Sequence, residues 1–163
     1  MSIKINVINK STNNLPEYAK QFDAGMDLRA DFTRGVSDKN MSGAAYDEVA
    51  NVIHIFPGGR CIVPTGIFTA IPPGYEVQVR SRSGLAIKYG IIVLNSPGTV
   101  DSGYRNEWGV ILMNCGDEVF TINQGDRIAQ AVLAKVEQIE WNEVESLSDS
   151  DRGESGFGKS GIK

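Results

Sequence analysis

Apolar residues recur along this chain mostly at every second position, in short runs broken by glycine- and proline-rich clusters. The runs are KINVINK (4–10), HIF (54–56), CIV (61–63), GIFTAI (66–71), YEVQV (75–79), GIIVL (90–94), GVILM (109–113), EVFTI (118–122) and AQAVLAKV (129–136). Period two is the spacing that buries one face of a strand and wets the other. Turn clusters separate the runs: PGG at 57–59, PPG at 72–74, SPG at 96–98, CGD at 115–117 and QGD at 124–126. Many short strands at this spacing predict an all-β fold, a sandwich, jelly roll or barrel. Only SGLAIKYG (83–90) can hold a helix, and a short one. With no long amphipathic helix, a doubly wound α/β sheet is not expected.

At 163 residues the chain suits one domain with one substantial core. Its net charge of -4 argues against broad contact with a nucleic-acid backbone. No apolar run approaches the roughly 18 residues of a membrane span. MSIKINVINKSTNN has no apolar stretch after its basic residues, so no secretory signal is read and a cytoplasmic location is expected. Cys61 and Cys115 lie in apolar, strand-like contexts and are read as buried, reduced thiols. With His54 the only histidine, two cysteines cannot complete a zinc cluster.

Two segments stand apart. Residues 31–52, DFTRGVSDKNMSGAAYDEVANV, are polar and weakly patterned, and read as a long surface hairpin or insertion. Residues 145–151, ESLSDSD, bury nothing apolar and read as a flexible spacer. The organisation expected is a β domain over 1–144 and a spacer with a glycine-rich arm over 145–163.

That arm, RGESGFGKSGIK, satisfies G-x-x-x-x-G-K-[ST] and G-x-G-x-x-G as strings. Both phosphate motifs need a helix after their glycines. Only three residues follow Ser160, and three residues make no helix. Both matches are rejected. Glycines still let backbone N–H groups approach an anion, and Arg152, Lys159, Ser160 and Phe157 supply charge, a hydroxyl and a stacking face. From the arm alone, a disordered glycine-rich terminus is the favoured reading.

Five clusters in order alter that reading: DAGMDLRA (23–30), RSRSGLA (80–86), GIIVLNSPGTVDSGYRNEW (90–108), GDRIAQAVL (125–133) and RGESGFGKSG (152–161). Together they resemble the five motifs of the trimeric dUTP diphosphatase (dUTPase) family, and PTGIFTAIPPGY (64–75) is similar as well. The resemblance covers nearly the whole chain outside 31–52. It implies a jelly-roll-like β-barrel with one short helix and a flexible C-terminal arm. It also implies a homotrimer with sites shared between subunits, and Mg²⁺-assisted hydrolysis of dUTP to dUMP and pyrophosphate. Such an enzyme limits uracil in DNA and supplies dUMP for dTTP synthesis.

The resemblance assigns roles residue by residue. Asp101 falls on the general base that activates the attacking water; by itself an Asp before Ser-Gly more commonly caps a turn. Asp27 and Gln130 fall on contacts to metal-bound water, in keeping with a Mg²⁺ that retains its waters. Arg82, Ser83 and Gly84 fall on phosphate contacts, for which arginine offers a fork of donors. Asn95, with the backbone around Thr99, Val100 and Gly109, falls on the uracil edge, where fixed polar groups would be left unpaired by cytosine. Tyr104 falls beneath the sugar, where a 2′-hydroxyl would clash. Arg152, Phe157, Gly158, Lys159, Ser160 and Gly161 fall on a lid closing over phosphate and base.

The chain departs from the family pattern in having ESGFG for a GGFG-like run, RSRSG for RPRSG, and a longer 31–52 segment. A dCTP deaminase shares the implied fold but carries a glutamate on the strand after the base-reading hairpin. GVILM (109–113) has none. A non-catalytic relative that binds nucleotide or a partner remains the other alternative.

Overall fold

Alternating burial accompanies strand formation in most of the period-two runs, whereas β1, from KINVINK, is exposed along its length. The computed structural model describes residues 2–151 and 153. Its strands are β1 (Asn6–Asn9), β2 (Met26–Arg29), β3 (Met41–Asp47), β4 (Val52–Pro64), β5 (Ile67–Ala70) and β6 (Tyr75–Arg80). They continue with β7 (Ile91–Val93), β8 (Gly98–Val100), β9 (Gly109–Asn114), β10 (Phe120–Asn123) and β11 (Arg127–Lys135). One short helix, α1 (Ser83–Tyr89), and a 3₁₀ turn at Asp38–Asn40 complete the described elements. The fold is all-β and jelly-roll-like.

All the strand pairings are antiparallel. One sheet has the order β2-β11-β6-β8; a second runs β10-β4-β9-β7 with β3 also on β4; β1 and β5 form a pair. Inward residues of the two larger sheets share one core, with Leu28, Val77, Val79 and Ala131 facing Ile53, Ile55, Val63, Val110, Leu112 and Ile122. Each large side chain buried this way contributes roughly 1.5–3 kcal/mol. Buried Asn114 is fully used: its amide donates to the carbonyls of Ile55 and Glu118, both at 2.8 Å, and its oxygen accepts from Gly116 N–H. Helix α1 stops at Gly90, whose φ of 68° is left-handed and where a Cβ would lie 2.5 Å from Gly116 N.

Three local expectations are corrected. HIF and CIV are not two strands across a PGG turn but parts of continuous β4, within which Gly58 has φ +75°. A Cβ on Gly59 would lie 1.8 Å from the carbonyl oxygen of Gly43, so these glycines let β3 pass close to β4. The thiols also differ. Cys61 is buried, and burial pushes its pKa up to about 12, whereas Cys115 is exposed on its turn. Lastly, segment 31–52 supplies a hairpin, as expected, but is not wholly superficial. Its second half forms β3 and the turn into β4, with Asp47 accepting N–H bonds from Val49 and Ala50. Its first residues, Asp31 and Phe32, are only 1% and 3% exposed.

Asp31 is a hub. Its carboxylate accepts the N–H of Thr12 at 2.9 Å, the amide of Gln124 at 2.8 Å, and both the hydroxyl and N–H of Thr33. Gln124 in turn accepts the N–H of Phe32 at 2.6 Å. Burial pushes the Asp31 pKa up, but the hydrogen bonds from Thr33, Thr12 and Gln124 outweigh it and hold the carboxyl below its ordinary 3.8. A carboxyl with a depressed folded-state pKa stabilises fully above its unfolded value, and the contribution fades as pH falls through the folded one. Asp31→Ala should therefore lower stability by about 2–4 kcal/mol at neutral pH, since several buried donors lose their acceptor. Urea unfolding should show the gap between wild type and variant narrowing as pH falls below about 4.

Candidate active site

The first cluster is built on β11, which pairs with β2 on one side and β6 on the other. Asp27 stands opposite Gln130, and Gln130 opposite Arg80, so three polar side chains form a row across the strands. The β2–β11 register slips between Arg127 and Ala129. This bulge buries both Ile128 and Ala129 and turns Arg127 to the same side as Gln130, although the two are an odd number of positions apart. Asp27 then lies between two guanidinium groups, Arg82 Nε at 2.9 Å from Oδ1 and Arg127 Nη1 at 3.2 Å from Oδ2. Arg82 also donates to the Arg127 carbonyl at 3.1 Å. Along β6, Arg80 donates to Gln78 and Gln78 to Glu76, a ladder on the same face. A polar cleft of about 400 Å³ opens beside Asp27 and Arg127, flanked by Thr12, Asn14, Glu17 and Arg29.

Ser83 and Gly84 begin α1, directly after Arg82, and both are exposed. A first turn has no helical acceptors for its N–H groups. A Cβ on Gly84 would meet nothing within 4 Å, so neither sterics nor backbone conformation within this chain requires a glycine there.

The second cluster lies on the arch between β7 and β9. Val93 pairs with Leu112, Leu94 N–H donates to the Ile111 carbonyl, and the chain between makes β8 against β6. Asn95 and Thr99 are exposed, while the side chain of Val100 is buried, leaving only its backbone to face a ligand. Gly109, exposed at the start of β9, would bring a Cβ within 2.6 Å of the Ile62 side chain. Asp101 is exposed at the end of β8, and its carbonyl accepts the N–H of Tyr104 at 3.1 Å. The Tyr104 hydroxyl donates to the Glu107 carbonyl at 3.0 Å.

Arg82, Asp27 and Gln130 are thus brought together; Asp101 is not. Val100 pairs with Val77, so Asp101 stands level with Glu76, six residues before Arg82. At about 3.3 Å per residue that is roughly 20 Å along the sheet. Within one chain, Asp101 and Arg82 therefore stand toward opposite ends of β6. Arg152, Phe157, Gly158, Lys159, Ser160 and Gly161 lie outside the described residues. Among the described residues, no three His, Cys, Asp or Glu side chains converge as a metal cage. The residue that sequence reasoning missed is Arg127, because period-two reading places it on the face opposite Gln130.

The dUTPase family model matches residues 36–161. The chain belongs to the dUTPase family. A deoxyuridine 5'-triphosphate nucleotidohydrolase of Fusobacterium nucleatum is 46% identical over 159 residues, covering 98% of this chain and 97% of that one. The dUTPase of Staphylococcus bacteriophage 80alpha, solved as a G164S mutant with dUpNHpp, superposes with a TM-score of 0.79 at 24% identity, covering 99% and 100%. A phage phi11 dUTPase from S. aureus, a D95N mutant described with a structural Mg(II) ion, has a TM-score of 0.71 at 21% identity, covering 90% and 100%. These two structural likenesses speak to the dUTPase fold.

In this dUTPase the arch that carries Asn95 closes tightly over Gly98. A Cβ there would lie 3.1 Å from Asn95 Nδ2 and 3.3 Å from Val79 Cβ. Gly98→Ala should cost about 1 kcal/mol, as a small overpacking does, and should shift the Asn95 amide resonances in an NMR spectrum.

Proposed function

We propose that the protein hydrolyses dUTP to dUMP and pyrophosphate. The observation that carries this reading is the near end-to-end likeness to a deoxyuridine 5'-triphosphate nucleotidohydrolase. In the reaction proposed, Asp101 takes a proton from water as the water oxygen bonds to the α-phosphorus. The bond from that phosphorus to the bridging oxygen then breaks, and pyrophosphate leaves. Arg82 and the first-turn groups of Ser83 and Gly84 bind the phosphates. The open space before Gly84 supports close approach by something outside the chain. Asn95 and the backbone at Thr99, Val100 and Gly109 read uracil, and Tyr104 packs under the deoxyribose. Arg152, Phe157, Gly158, Lys159 and Ser160 close the site.

Mg²⁺ fits this donor set only through its waters. Both Asp27 oxygens are engaged by arginines, and Gln130 offers a neutral amide. A hydrated cation carried by the triphosphate suits such a shell, with Asp27 and Gln130 holding its waters. When bound, the ion would neutralise charge on the departing pyrophosphate.

The separation of Asp101 from Arg82 supports a homotrimer in which different copies supply the two clusters. So do the bare apolar side chains of the segment after β11: Ile139, Trp141 and Leu147 are 73%, 86% and 88% exposed. Among the described residues no helix is long and apolar enough to cross a membrane. The location proposed is the cytoplasm, and the role is to limit uracil in DNA and supply dUMP. Strand β9, GVILMN, carries no carboxylate for a deaminase.

Purified protein with Mg²⁺ and each dNTP should release pyrophosphate from dUTP alone; dUTP made from dCTP would point to deamination instead. Asp101→Asn should bind dUTP while turnover falls at least 10²-fold, the scale of a lost general base. Sedimentation should give a trimer, and truncation after Asp151 should suppress turnover while leaving the melting temperature within a few degrees.

A further inference from the structure

Glu107 is the residue whose placement the proposed chemistry leaves unexplained. Its carboxylate does not face open solvent: Oε1 accepts the N–H of Gly66 at 2.7 Å, and Oε2 lies 3.8 Å from Nε of Arg34. The next residue is clamped to the same turn. Trp108 N–H donates to the Ile67 carbonyl at 2.8 Å, and the Trp108 carbonyl accepts the Thr65 hydroxyl at 2.7 Å. The turn itself has little freedom. Gly66 has φ +68°, and a Cβ there would lie within 2.6 Å of Ser11. Arg34, which belongs to the 31–52 segment, rests over the Phe68 ring at 5.7 Å, with Lys10 at 5.0 Å.

The held stretch ends on the carbonyl that receives the Tyr104 hydroxyl. Tyr104 is otherwise exposed, at 41%, and its backbone N–H is tied to Asp101. A ring fixed only by its backbone could swing about its first two side-chain torsions; the hydroxyl contact removes that freedom. We propose that Glu107 is a positioning residue for sugar discrimination. Its carboxylate anchors the carbonyl that fixes the Tyr104 ring, so the ring stays close enough to reject a ribose 2′-hydroxyl. Arg34 steadies the same carboxylate, which gives the 31–52 segment a part in specificity. This rests on the dUTPase reading and deepens it.

The test compares kcat/KM for dUTP and UTP. In Glu107→Ala and in Tyr104→Phe the dUTP/UTP ratio should fall about three- to tenfold, the scale of one lost hydrogen bond. Glu107→Gln keeps an acceptor for Gly66 N–H and should hold the ratio near the wild type. The double variant should be no less selective than the worse single one, because both changes cut one path. Arg34→Ala should give a smaller change that shrinks with added salt, as befits a half-exposed pair. If Glu107→Ala does not fold, Glu107→Asp, one methylene too short to reach Gly66, is read in its place. A ratio unchanged in Tyr104→Phe, or equal losses for both nucleotides in the Glu107 variants, would overturn the positioning role. Wild-type protein inert toward dUTP would instead overturn the activity on which it rests.

Discussion

β11 lies between β2 and β6 and carries one residue more than β2 can match, and the cluster around Asp27 depends on that mismatch. The bulge sends Ile128 and Ala129 together into the core and leaves Arg127 and Gln130 together outside. Asp27, opposite Gln130, then receives Arg127 on one oxygen and Arg82 on the other. The two contacts differ in weight. The Arg82 side chain is 22% exposed and Arg127 51%, so solvent screens the second more strongly. A carboxylate between two cations also keeps their mutual repulsion in check, which holds Arg82 in place at the start of α1.

The same sheet that assembles this cluster keeps the other one away. β6 connects them, with β8 and Asp101 at one end and Arg82 at the other. A paired strand does not fold back, so the separation is rigid rather than a matter of loop conformation. Under the proposed chemistry, it is association of copies that would bring Asp101 and Arg82 to one substrate. The arch has its own internal order: Asp101 holds the Tyr104 backbone, Glu107 receives its hydroxyl, and the turn at Gly66 receives Glu107. Asp101, Tyr104, Glu107 and the Gly66 turn form one connected unit.

Much of the fold is legible in the sequence. Period-two runs give most strands, SGLAIKYG gives α1, and Gly90 ends it. Other features escape a local reading. The PGG cluster resembles a turn but only bends β4, because Gly59 is needed where Gly43 crosses. Cys115 has apolar neighbours in sequence yet is exposed, because its N–H bonds to Gly90 hold the chain in a surface turn. Asp31, in a polar stretch, is buried because Thr12, Thr33 and Gln124 supply enough donors to hold a carboxylate there.

The sequence by itself determined which faces are apolar, where the chain can turn, and which residue types stand in the five motifs, since these depend on neighbours a few positions apart. Only the tertiary structure decided that Arg82 and Arg127 share Asp27, across 55 and 100 residues of chain. It alone decided that Asp101 stands at the far end of β6. Register and bulge parity are set by how distant strands fill one core, and a shift of one residue exchanges the two faces of a strand.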